Sequence, residues 1–181
     1  MIIHFITVAV PLFIIVFFSI VSTLFMGMKL TQSEFGDFAL LKTFILIGST
    51  FSIMGIDNYH IRYSEDNKPQ IKYLHISILT VILSAVFVVL VTFLYNIGME
   101  KAILLWAILF SNSNILYLSS CLRVKLKLFL SKLIYNSWKI FLFIFLLIII
   151  YDASYLSIVN LYYYLALTLF LTSGLAVICL L

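Results

Sequence analysis

Residues 1–28 contain no Lys, Arg, Asp or Glu, and neither do residues 73–99 or 153–181. Uncharged runs of this length cannot clothe a surface that faces water. About 20 predominantly apolar residues suffice to carry a helix across a hydrocarbon core about 30 Å thick. Only 10% of the 181 residues are charged and 65% are hydrophobic, whereas a soluble domain carries about 25% charged residues. The mean hydropathy is +1.23. A chain of this size cannot hide so much apolar surface inside itself, so lipid is the solvent for most of it. The first run is too long for the core of a signal peptide and no basic segment precedes it, so it reads as a retained helix. Pro11 falls inside it, and a membrane helix tolerates such a kink where neighbours satisfy the freed carbonyl.

The pattern predicts an all-α polytopic membrane protein with a single transmembrane domain, 1–181, formed by a six-helix bundle. The helices are expected at about 1–28, 36–56, 73–95, 103–122, 133–151 and 155–181. Gly36 and Gly55 mark the ends of the second. Polar stretches separate them: Thr31–Gly36, the longer Asp57–Lys72, Asn96-Ile97-Gly98 and Asp152-Ala153-Ser154. Such short connections make successive helices antiparallel neighbours. The net charge of +4 is not a nucleic-acid signal, because the cations sit in a few short loops. Arg62, Lys68, Lys72, Arg123, Lys125, Lys127 and Lys132 follow the even-numbered helices, and only Lys29 and Lys101 lie in the other loops. The positive-inside rule then places the even loops and the N-terminus in the cytoplasm.

The stretch from Leu30 to Tyr63 carries a resemblance. Ser33-Glu34-Phe35-Gly36, a helix, Gly55-Ile56-Asp57 and then Arg62-Tyr63 resemble the first loop and second helix of polysaccharide flippases. These are the O-antigen and lipid-linked oligosaccharide exporters of the multidrug/oligosaccharidyl-lipid/polysaccharide superfamily. The match covers mainly residues 20–66. It implies one lobe of a transporter in the bacterial inner membrane that moves a polyprenyl-diphosphate-linked oligosaccharide by alternating access. Members of that family have about twice as many helices, in two six-helix lobes around a central cavity. The sequence is accordingly expected to be an N-terminal half or truncated form, the other expectation being a pair of copies.

No pattern in the chain suggests an enzyme, a cofactor or a metal. Cys121 and Cys179 lie in or beside apolar segments without ligand spacing, His4, His60 and His75 are scattered, and no glycine-rich phosphate loop is present. The functional signal therefore lies in polar residues at membrane depth. Lys42 sits inside the second helix, where it either snorkels to the headgroups or faces a cavity; the resemblance, with its diphosphate cargo, favours the cavity. Asn112, Leu116, Ser119 and Arg123 recur on one face of the fourth helix, with interhelical hydrogen bonding the expected role of Asn112. Asn114 lies on another face. Asn160, Tyr164, Thr168 and Thr172 form a stripe on the sixth helix. Lys139 is expected to snorkel, Gly48-xxx-Ser52 to support close packing, and Asp57 to pair locally with Arg62. Lys42, Arg62, Asn112 and Arg123 are the candidate substrate contacts, the two arginines at the cytoplasmic mouth.

The resembled superfamily also contains multidrug exporters, which would carry an intramembrane carboxylate for cation coupling. A small non-transporting scaffold or assembly subunit is the reading from a different class.

Overall fold

The computed structural model describes residues 2–63, 73–125, 127–151 and 157–178. They form eight helices: α1 (Ile2–Lys29), α2 (Gln32–Ile53), α3 (Ile56–Tyr63), α4 (Tyr73–Tyr95), α5 (Met99–Val124), α6 (Leu128–Tyr135), α7 (Ser137–Tyr151) and α8 (Ile158–Ile178). Four of them, α1, α2, α4 and α5, are long and apolar enough to cross a membrane. The bent pair α6–α7 makes a fifth span if it counts as one, and the apolar part of α8, Ile158–Gly174, is shorter. Large apolar side chains such as Phe13, Leu24, Val89, Phe93 and Leu167 are exposed, as lipid contact requires. The chain is a multi-pass, all-helical membrane protein.

Several expected boundaries change. The second helix begins at Gln32 rather than Gly36, because Thr31 caps it. Thr31 Oγ1 accepts from the Glu34 backbone N–H and the Glu34 carboxylate accepts from the Thr31 N–H. This reciprocal capping box satisfies two amides that the helix start leaves free, and Gly36 lies within the helix. At the other end Met54 adopts a left-handed conformation with φ 49°, and Gly55 follows at φ 73°. Two such residues in succession turn the chain sharply, and part of the expected polar loop folds as α3. The fourth helix starts at Met99, four residues early, after a left-handed Asn96. The third agrees with expectation at both ends. The Asp152-Ala153-Ser154 turn, Lys68 and Cys179 lie outside the described residues.

The largest departure is in the fifth expected helix. It is two helices, α6 and α7, bent by 60° at Asn136. The Asn136 amide donates to the Lys132 carbonyl, and the Asn136 carbonyl accepts from Lys139 N–H. One side chain thus satisfies a carbonyl that the break sets free.

The bundle is built around α5. Every residue from Ser111 to Ser120 is buried, and α2, α3, α4, α6 and α8 all pack against this helix. Its serines and asparagines leave little side-chain bulk, so the neighbouring backbones approach closely. Gly48 of α2 answers with no side chain: a Cβ there would stand 2.8 Å from Leu109 Cδ1 and 2.8 Å from Phe87 Cε1. The small-residue spacing at Gly48 and Ser52 is therefore a packing device, as the sequence predicts. α1 stands apart from this group. It lies along α6 and α7 and barely touches α2, with Phe18 stacked on Phe143 at 4.3 Å between ring centroids.

Candidate functional site

The seam between α2 on one side and α1 and α7 on the other contains the most unusual chemistry in the molecule. Lys42 is the eleventh of the 22 residues of α2, about 15 Å from the helix start at 1.5 Å per residue. That is half of a ~30 Å core. Its ammonium donates to Thr23 Oγ1 on α1 at 2.8 Å and lies 5.5 Å from the centre of the Phe38 ring. It does not run outward along its own helix. It reaches across to α1, into a crevice lined by Ser19, Ser22, Lys42, Trp138, Lys139 and Leu142.

Lys139 brings a second ammonium into the same crevice. Read from the sequence it is a snorkelling residue near the end of a continuous helix. The break at Asn136 makes Lys139 the third residue of a new helix, and it lines the crevice beside Lys42 of α2. Its Nζ lies 5.6 Å from the centre of the Trp138 ring. The two cations share a half-buried crevice that no carboxylate lines. Each ring offers its lysine weak cation–π compensation, about 0.5–2 kcal/mol, which is small against the cost of two like charges near one another at membrane depth.

The first turn of α7 adds to the positive potential. Helix starts carry free backbone amides and the positive end of the helix dipole, and α7 starts directly at the bend that separates it from α6. Ser137, its first residue, is buried with an Oγ that has no hydrogen-bond partner. Serines on α1 occupy the facing wall; Ser22 donates back to the Phe18 carbonyl. The arrangement suits an anion that accepts several hydrogen bonds at once. The crevice is closed in this conformation, with no room even for a water molecule. A ligand enters only if α1 and α7 move away from α2.

The other candidate residues lie elsewhere. Asn112 is buried and its amide donates to Ser49 Oγ at 3.0 Å, while Ser113 Oγ donates to the Ser49 carbonyl. Asn112 thus ties α5 to α2, and the interhelical role expected of it is what the geometry displays. Its Oδ1 has no partner. Asn114, on another face as expected, accepts from Ser77 of α4. Arg62 is exposed on α3 and does not pair with Asp57; Asp37 and Lys101 form the ion pair among the described residues. Arg123 stands in the last turn of α5, with its Nε buried and unpartnered. Neither arginine nor Asn112 lines the crevice with Lys42. In the α8 stripe, Thr168 and Thr172 donate to the carbonyls of Tyr164 and Thr168 and so stay within their helix.

Compared with known proteins, the chain matches no family model, no curated protein and no solved structure.

Proposed function

We propose that this chain acts as one lobe of a membrane transporter that flips a polyprenyl-diphosphate-linked oligosaccharide by alternating access, with the Lys42–Lys139 crevice receiving the diphosphate. One observation carries the reading: two lysines from different helices, at mid-span, converge on hydroxyl groups and on the start of a broken helix, with no carboxylate among the residues that line the crevice. Ionisable groups at membrane depth are costly and mark substrate paths. Transporters place half-helix starts near the midplane, where the dipole meets anionic groups of the cargo. A diphosphate matches both lysines in charge and presents acceptors to Ser19, Ser22 and the first turn of α7.

The packing supplies a means of opening. α1 and α7 form one group and α2, α4, α5 and α8 another, with α6 packed against both α1 and α5; the crevice is the seam between the two groups. Swinging the first group about α6, which rests on α5, and about the α7–α8 contact parts Lys42 from Thr23 and uncovers both ammonium groups. An anion then stabilises the open form, because it binds that form and not the closed one. The resemblance in residues 20–66 to polysaccharide flippases supports the same cargo.

The test is made in the native host. Removing the gene should deplete the surface glycan and leave lipid-linked oligosaccharide on the cytoplasmic face. Wild-type protein and Lys42→Arg should restore export, and Lys42→Ala at equal abundance should not. An unchanged surface glycan together with lost drug resistance in the deletion strain would replace this reading with that of a multidrug exporter.

A further inference from the structure

We infer that the end of the bundle carrying the α4–α5 turn holds a second, separate site that binds a neutral sugar ring. A pocket of about 340 Å³ opens there between α2, the turn and the start of α8. That volume is at the lower end of the range for small-molecule sites, about 300–1,000 Å³. Its wall is aromatic. Tyr162 is buried, and Phe44 meets Tyr95 edge-on at 5.4 Å between centroids. Its rim is polar and mixed: Asp37, Asn96, Glu100 and Lys101.

The charges on this rim already have partners, and that selects the ligand. Lys101 Nζ lies 3.3 Å from Asp37 Oδ2, and Tyr163 donates its hydroxyl to Glu100 at 2.7 Å. An anion would face two carboxylates. A cation would compete with Lys101 for Asp37, and a wholly apolar ligand would cover a hydrogen-bonded ion pair and gain nothing in exchange. A pyranose meets every feature. Its hydroxyls donate to Asp37 and Glu100 and accept from Lys101 and the Asn96 amide, while its C–H face lies on the exposed ring of Tyr95. Asn96 holds its place on the rim through a left-handed turn at φ 51°.

The pocket is distinct from the lysine crevice. Asp37, Leu40 and Phe44 recur at three- and four-residue spacing on one face of α2, and Lys42, two residues from Leu40, projects to the other. The choice of a sugar over another neutral polyol rests on the proposed cargo, whose glycan must be handled away from its diphosphate.

Saturation-transfer NMR on the full chain in detergent tests this with the methyl glycosides of glucose, galactose and N-acetylglucosamine as probes. At least one should receive saturation on its ring protons. The signal should fall about threefold or more in Tyr95→Ala, the size of a lost aromatic contact, and persist in Tyr95→Phe and Lys42→Ala. Absence of transfer to all three glycosides, or an undiminished signal in Tyr95→Ala, would overturn the inference. The two proposals fail separately. Saccharide binding together with normal export by Lys42→Ala strikes the crevice alone, whereas no saccharide binding with export lost in Lys42→Ala strikes the pocket alone.

Discussion

At the scale of single residues, Lys42 and Asn112 show how one kind of sequence signal separates into two roles. Both are polar groups at membrane depth. Asn112 spends its amide on Ser49, and such bonds between membrane helices contribute about 0.6 kcal/mol on average. Asn112→Ala should therefore lower thermal stability slightly and leave export near wild type. Lys42 has a hydroxyl partner and a cationic neighbour but no counter-charge in its crevice. If it meets the cargo, Lys42→Ala should cut export about tenfold or more, since truncating one partner of a buried charge pair costs about 2–5 kcal/mol. Lys42 was legible as a candidate because a lysine inside an apolar run is conspicuous. Lys139 was not, because its depth depends on a helix break that the apolar run from Leu133 to Tyr151 conceals. A faint signal was there in Asn136-Ser137, two residues that favour helix starts over helix interiors.

At the scale of elements, the sequence is most readable where solvent sets the boundary. α4 starts where its uncharged run starts, after Lys72, and ends at Tyr95, before the polar turn Asn96-Ile97-Gly98. α2 starts at Gln32 and not at Gly36, because Thr31 and Glu34 form a capping box, a stronger start signal than the glycine. Packing of α2 on α5 depends on the missing side chain at Gly48. Gly48→Leu should overfill the gap against Leu109 and Phe87 and cost about 1–3 kcal/mol, read as lost thermal stability in detergent. α3 offers a pH-dependent element. His60 packs on Tyr117 of α5 with centroids 5.3 Å apart, and burial lowers its pKa. The folded state therefore favours neutral His60, while the unfolded chain takes up a proton near the ordinary value of about 6.5. Docking of α3 is strongest above that value and weakens as the pH falls below it. The protection of the α3 amides, each rate taken relative to its intrinsic exchange rate at the same pH, should fall between pH 7 and pH 5 and lose this dependence in His60→Phe.

At the scale of the whole molecule, composition alone established a multi-pass membrane protein, because no other solvent accommodates so much apolar surface. What it could not supply was the grouping of helices. Short loops make sequence neighbours antiparallel, yet α1 leaves α2 and lies on α6 and α7, a choice made by side-chain fit such as Phe18 on Phe143. That grouping creates the seam. The basic residues after the even-numbered helices of the sequence pattern predict an orientation with those loops in the cytoplasm. In a background without Cys121 and Cys179, Ser33→Cys should react with an impermeant thiol reagent in intact cells, and Lys125→Cys should react only after the membrane is opened. The reverse pattern would invert the protein.

The central claim is that Lys42 and Lys139 together hold a lipid-linked diphosphate, and binding of farnesyl diphosphate to the purified full chain tests it most directly. The account predicts saturable binding to wild type and to Lys42→Arg, with affinity about tenfold lower in both Lys42→Ala and Lys139→Ala, and no competition by farnesol, which has the tail without the charge. Equal affinity in wild type and in both alanine variants, each folded and monodisperse, would contradict it.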